Sequence, residues 1–276
     1  MSKLYNANGI EIFNDGGKTN AIASISIEYG RVSGASYCFA RIPRYTIDGK
    51  RIKAKAALTS EDGSLTGGKV SALTFAKREN AIFTVNASLF NMTTVVPIGQ
   101  TIIHGVVLTD DDPKVSFTDE ISELECYPLC IDENGDLSSN YAQCPDTSQM
   151  IADGVVYAIT AWGELINNFV KYDVGKFNEV CNKNKLIPIQ VIGQYQNGDY
   201  FVFTSDGARG SWKNEPGTTY DNVADFLISK GVQYAYLLDG GGSTETVIGN
   251  RQINPIYEET AGRSVPTVIY FEVVED

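Results

Sequence analysis

The stretch of this chain best suited to chemistry is Asp239-Gly240-Gly241-Gly242-Ser243-Thr244-Glu245, a carboxylate followed by three glycines, two hydroxyls and a second carboxylate. Successive glycines let the backbone take positive φ and come close to a ligand. Successive N–H groups in such a turn form an anion-binding nest. Residues 232–238 are apolar and aromatic, as in a buried strand. Asp239 therefore falls at a strand's carboxyl end, where open α/β sheets place ligands. The plain alternative is a flexible Gly/Ser linker, but the buried-type strand before the loop and the alternating Thr246-Val247-Ile248 after it argue against that. A third carboxylate, Asp206, sits in Ser205-Asp206-Gly207-Ala208-Arg209. Arg209 and Arg263 are the arginines near these segments, and a guanidinium is a two-pronged donor for an anion. Asn86 stands at the end of another apolar run. Each has a blander reading: Asp206 as a turn residue before glycine, Glu245 on a solvated strand face, Arg263 as a surface ion-pair partner.

The elements that must carry these residues are mostly strands. Residues 22–27, 36–44 and 51–58 read as strands, with turns at Asp48-Gly49 and Asp62-Gly63. A helix is expected over 69–79, ending near Asn80, followed by a strand over 81–85 that runs into Asn86. Strands are also expected over 155–159 and 165–170, with a short helix over 174–182. Residues 186–193 and 199–204 read as a hairpin turned by Asn197-Gly198. A second helix is expected over 219–230, where Tyr220, Val223, Ala224 and Leu227 recur at helical spacing, Thr218 or Thr219 caps the start and Gly231 stops it. Two helix–strand–loop units result, one ending at Asn86 and one at Asp239. If both strands lie parallel in one sheet, both loops open on one edge and share a pocket. The acidic, irregular segment 109–150 is expected to flank that pocket.

Composition narrows the classes. The chain has 276 residues, 43% of them apolar, enough for one large core or two small ones. Its net charge is 22 − 34 = −12, with no basic run, which argues against nucleic acid or an anionic membrane surface as partner. No apolar run approaches a membrane span. The first residues lack the apolar core of a secretory signal, so a cytoplasmic location in the producing cell is expected. Five cysteines do not read as a disulfide framework. Cys126, Cys130 and Cys144 with the lone His104 space poorly for a metal, so neither metal nor cofactor is expected. Ser243 as a hydrolase nucleophile would need His104 as base. Asn86-Ala87-Ser88 and Asn91-Met92-Thr93 also read as glycosylation sequons.

Over residues 66–274 the order and spacing of these segments resemble the phosphodiester glycosidase family. The family shows an Asp-Gly-Gly-Gly-Ser loop followed by an arginine, here Asp239 to Ser243 and Arg263. Its upstream Asn-Gly-Gly-Phe-Phe and Pro-x-Gly resemble Asn86-Ala87-Ser88-Leu89-Phe90 and Pro97-Ile98-Gly99. Its Ile-Gly-Gln and Asp-Gly-Arg resemble Ile192-Gly193-Gln194 and Asp206-Gly207, with the arginine displaced to Arg209. Ala87 and Ser88 stand where the family has glycines, and Ile189 where it often has arginine. Some members occur in bacteriophage genomes, so the resemblance also implies a place on a phage virion as the alternative location.

The fold expected is α+β: a strand-rich single domain with a mixed sheet and two principal helices, residues 1–65 packing strands onto a 66–276 glycosidase-like unit. The resemblance implies hydrolysis of a sugar-1-phosphodiester in a phosphorylated glycan or a soluble sugar-phosphate. Such hydrolysis passes through an oxocarbenium-like state and usually employs two carboxyl groups. Asp239, Asp206 and Glu245 are then the catalytic candidates. Asn86, Arg209, Gly240, Gly241, Gly242, Ser243, Thr244 and Arg263 are the substrate-binding candidates. The other class is a non-catalytic carbohydrate-binding or virion module that keeps the fold.

Overall fold

The computed structural model describes residues 17–113, 126–141, 144–173, 186–208, 216–254 and 262–274, with the backbone of two further short strands, Leu4–Tyr5 and Glu11–Ile12. Two sheets packed face to face carry the site. The first has seven strands in the order Val170–Lys171, Gly163–Asn167, Tyr234–Leu237, Gln190–Gln194, Tyr200–Ser205, Ala35–Ile42, Ser26–Val32. The second has five, in the order Arg251–Gln252, Thr246–Ile248, Phe83–Asn86, Thr267–Val274, Arg51–Leu58.

Alternation decides which side chains meet between the sheets, since successive strand residues face opposite ways. Tyr200 points inward and its ring lies 5.0 Å from Phe271 of the facing sheet. Phe201 and Phe203 point outward. With Tyr37 and Phe39 they form an aromatic layer covered by Phe226 of the Tyr220–Ser229 helix. On the other side Tyr270 points outward and packs edge-on against Phe75 of the Ala72–Glu79 helix, 5.4 Å away. The order is helix, sheet, sheet, helix. A third, five-stranded sheet made of residues 100–110, 128–138 and 155–160 adjoins these layers, backed by the Thr147–Ala152 helix.

The α+β, strand-rich expectation holds, and both principal helices are present, the first starting at Ala72 rather than at residue 69. Ser71 caps one by accepting from Thr74 N, and Asn80 ends it at φ 55°. Thr219 caps the other by accepting from Asn222 N, and Gly231 follows it at φ 75°. Other expectations are corrected. Every described strand pairing is antiparallel, so there is no mixed sheet among the described residues. The strands before Asn86 and Asp239 are not neighbours in one sheet. Each is flanked by antiparallel partners from elsewhere in the chain, so they lie in the two facing sheets.

Residues 18–24 form a helix where a strand was expected from residue 22. Asn20 and Ala21 bury one side of it, and Asn20 Nδ2 donates to Asp48 at 2.8 Å. The Asn197-Gly198 hairpin closes with three residues rather than two. Tyr195 N donates to Asp199 O, Gly198 N donates to Tyr195 O, and Gly198 takes φ 82°, the arrangement in which a turn is followed by a left-handed bulge. The helix expected over 174–182 lies outside the described residues.

Candidate active site

The carboxyl ends of Phe83–Asn86 and Tyr234–Leu237 meet across the gap between the sheets, and Asn86 joins them. Its side chain is fully buried. Nδ2 donates to Asp239 O at 2.7 Å, and Oδ1 accepts from Glu245 N at 3.0 Å. Asp239 N donates to Ala87 O, and Asn86 N donates to Glu245 O. The glycine loop is thus clipped at both of its ends by one carboxamide and the backbone beside it. Asn86 and Asp239 lie together as expected, but Asn86 does not line the cleft and its two polar atoms hold loop backbone. Its complete burial keeps it from sugar hydroxyls and from glycosylation alike.

The glycines are needed for packing against the neighbouring strand. Gly241 takes φ 60° and its N–H donates to Pro188 O at 2.9 Å. A Cβ on Gly240 would lie 2.6 Å from that same oxygen. Ser243 N and Thr244 N donate back to Gly240 O and Gly241 O. Among the described residues only the N–H groups of Gly240 and Gly242 have no protein acceptor in this loop. The nest is accordingly narrower than the sequence implied. Thr244 is buried, and its Oγ1 has no hydrogen-bond partner among the described residues.

A cleft of about 200 Å³ opens over the loop. Asp239, Gly240, Gly241, Ser243 and Arg263 form its polar side, and Leu89, Phe90, Met92, Trp162 and Ile187 its apolar side. Arg263 is half-buried and its Nη1 donates to Ser243 Oγ at 3.3 Å. The apolar side went unforeseen. Trp162 sits in the tight turn between Val155–Thr160 and Gly163–Asn167, with its N–H on Leu237 O. An isolated tryptophan at a turn was the available signal.

The other carboxylates lie elsewhere. Asp206 follows Tyr200–Ser205 at the same end of the seven-stranded sheet, but the 187–189 segment lies between it and Asp239. Two strand spacings put the backbones ~10 Å apart, and Asp206 does not line the cleft. Its N–H donates to Ser36 O, and burial, with a smaller contribution from the Asp206 charge, raises the Cys38 thiol pKa to about 12.

Glu245 is neither on a solvated face nor in the cleft. It is 2% exposed, and its carboxylate accepts from Ala72 N at 2.8 Å and Leu73 N at 3.2 Å. With Ser71 Oγ on Thr74 N, this satisfies the opening N–H groups of the helix, which have no intrahelical partner. Burial raises its pKa to about 7, opposed by the two N–H bonds. The expected acid–base role is replaced by that of a helix clasp. Gly262 passes so close that a Cβ there would lie 2.8 Å from both carboxylate oxygens.

Departures from the sequence pattern are accommodated locally. Ala87 N donates to Thr267 O, and the Ser88 N–H and hydroxyl both meet Thr267 Oγ1. Ile189 is buried in the core. Gly193 lets Tyr234 O approach to where its Cβ would sit, 1.9 Å away. Gln190 Nε2, fully buried, donates to Thr204 Oγ1 and Thr246 Oγ1 at 3.0 Å each, joining the two sheets beneath the loop.

His104 lies outside the cleft, with Nδ1 3.0 Å from Tyr157 Oη, so it is no base for Ser243. No metal-binding cluster occurs among the described residues. No described residue of 109–150 lines the cleft; Gly135 instead accepts from Tyr200 Oη at the opposite end of the sheet. Arg209 lies outside the described residues.

Residues 79–272 match the family model for phosphodiester glycosidase. The chain belongs to the phosphodiester glycosidase family. It is 28% identical over 191 residues to the SPbeta prophage-derived uncharacterized protein YomE of Bacillus subtilis strain 168, a match covering 69% of this chain and 28% of that protein. The chain thus spans little more than a quarter of that relative's length.

Among solved structures, the zebrafish N-acetylglucosamine-1-phosphodiester alpha-N-acetylglucosaminidase catalytic domain, auto-inhibited by its pro-peptide, superposes with a TM-score of 0.65. The identity is 15%, over 91% of this chain and 82% of that one. A hypothetical protein from Synechocystis follows at 0.60, with 14% identity over 91% of this chain and 62% of that one. At these identities the likeness is one of fold.

Proposed function

We propose that this phosphodiester glycosidase hydrolyses the bond between a sugar's anomeric carbon and a phosphodiester oxygen. The proposed substrate is a phosphate-linked glycan or a smaller sugar-phosphate, in a phage or prophage setting. The observation that carries the reading is that Asp239 and Arg263 line one cleft whose opposite side is apolar. Arg263 and the N–H groups of Gly240 and Gly242 take the negative charge that grows on the departing phosphate. Asp239 serves the anomeric carbon, either by attacking it or by activating water. Trp162 and Phe90 offer aromatic surface to the sugar ring.

One carboxylate suffices for this leaving group. A phosphodiester departs as a stable anion, so protonation by a second carboxyl group matters less than for an ordinary glycoside. Glu245 in its helix clasp and Asp206 outside the cleft are consistent with that economy. The same placement favours the alternative, a glycan-binding or virion module without turnover. The prophage-derived relative supports the phage setting, and location in the producing cell or on a virion belongs to the same proposal.

The test is a panel of α-linked sugar-1-phosphate methyl diesters incubated with wild type and Asp239→Asn, with free sugar and methyl phosphate followed by mass spectrometry. Release by wild type alone supports the enzyme. Binding of a panel member without release by either supports the module.

A further inference from the structure

A second, larger cavity of about 530 Å³ lies on the outer face of the five-stranded sheet, between the Ala72–Glu79 helix and the strand pair Gln100–Ile103 and Val106–Asp110. It shares no lining residue with the cleft. Its volume falls in the range of ~300–1,000 Å³ usual for small-molecule sites. Phe75 and Tyr270 supply aromatic surface, and Leu58, Ile103 and Leu108 aliphatic surface.

Three polar groups stand on its walls, two of them held by hydrogen bonds. Arg78 donates from Nη1 to Thr59 O at 2.9 Å and from Nε to Glu79 at 2.6 Å, with its guanidinium 5.2 Å from the Phe75 ring centre. Its Nη2 has no partner among the described residues. His104 occupies a two-residue hairpin turn, at φ 52° with Gly105 at φ 72°, a turn that usually takes Asn-Gly or Asp-Gly. Tyr157 Oη engages its Nδ1, leaving Nε2 for another partner. Tyr270 Oη has no hydrogen bond among the described residues, and burial raises its pKa, so it keeps its proton and donates at neutral pH.

The charge balance selects the ligand. Glu61 and Glu79 line the cavity against Arg78, which is already paired with Glu79. Such a surface repels phosphate and carboxylate, in contrast to the cleft with Arg263. Aromatic and aliphatic walls edged with fixed donors and acceptors suit a neutral ring bearing hydroxyls. We propose that this cavity is a second carbohydrate site, taking a neutral pyranose, separate from the cleft that holds Asp239. It does not depend on the cleavage reading, because occupancy is scored without turnover.

The probes are the methyl α-glycosides of glucose, galactose and N-acetylglucosamine, tested by saturation-transfer NMR and titration on the whole chain. Leu108→Trp fills the cavity from its half-buried lip, Tyr270→Phe removes one hydroxyl, and Asp239→Asn with Arg263→Ala disables the cleft. Circular dichroism confirms that each variant is folded. The expected result is that at least one glycoside binds wild type and the cleft variant alike. Its affinity should fall at least about tenfold in Leu108→Trp and several-fold in Tyr270→Phe. Three outcomes overturn the proposal: no glycoside binds, binding is lost with the cleft variant and kept in Leu108→Trp, or a sugar phosphate outcompetes the neutral glycoside in the cleft variant.

Discussion

Replacing Asn86 with alanine removes the carboxamide that ties the glycine loop to the facing sheet. The residue is fully buried and both of its polar atoms are used, on Asp239 O at 2.7 Å and Glu245 N at 3.0 Å. Two net hydrogen bonds are worth about 1 kcal/mol each. The orphaned carbonyl and N–H add a desolvation cost of about 1–3 kcal/mol for each group that water cannot reach. With water reaching one of the two groups through the space the side chain leaves, a total loss of about 3–5 kcal/mol is expected, against the ~5–15 kcal/mol by which domains are usually stable. Asn86→Asp keeps the acceptor for Glu245 N but sets a carboxylate against the Asp239 carbonyl, so it should be no milder. The assays are urea unfolding and, where turnover is found, kcat on one phosphodiester. Because the clip carries the backbone of Asp239, kcat should fall with stability. A loss below about 1 kcal/mol for Asn86→Ala would refute the clip, since that is the worth of one ordinary hydrogen bond.

Arg263→Ala should lose about 1.5–3 kcal/mol of binding or transition-state stabilisation for a phosphodiester, as for other hydrogen bonds to charge. Arg263→Lys should recover only part, because lysine cannot make the two-pronged contact. The same comparison at Arg209 decides whether that displaced arginine shares the anion, which unchanged kinetics in Arg209→Ala would exclude. Glu245 has its folded pKa raised from 4.5 to about 7. Its proton therefore adds stability that is full below about pH 4.5 and is lost as pH rises through about 7. Urea midpoints at pH 5 and pH 8 should show this slope in wild type and not in Glu245→Gln. Cys38, Cys126 and Cys130 are buried with raised pKa values, whereas Cys144 is exposed. Among these four, a maleimide should label Cys144 first in the native protein and reach the other three only on unfolding.

The loop itself and both principal helices were legible because their signals are local. Asp239 with its glycines, Thr219 as a cap, and Asn80 and Gly231 as stops each act within a few residues of chain, whereas the Ser71 cap that starts the first helix was not read. Asp239 and Asn86 were rightly brought together, but through the wrong arrangement. A helix–strand–loop repeat looks the same whether its strands pair with each other or with strands distant in the chain, and here Val268 pairs with Asn86 and Val191 with Leu237. The roles of Asn86 and Glu245 were misjudged for a related reason. A side chain that hydrogen-bonds the backbone of a distant element, as Glu245 does at Ala72, carries no mark of it in sequence. Trp162 and Ile187 were missed because a cleft's apolar wall is assembled from turns and strand ends that no periodicity links.

The most direct test of the central claim is hydrolysis of a sugar-1-phosphodiester in heavy-oxygen water, with the phosphate product weighed by mass spectrometry. Asp239 acting at the anomeric carbon breaks the carbon–oxygen bond, so the methyl phosphate should be released unlabelled and the solvent oxygen should enter the sugar. Heavy oxygen in the phosphate would mean that water attacked phosphorus, and would contradict the assignment of Asp239 to the sugar and Arg263 to a departing phosphate.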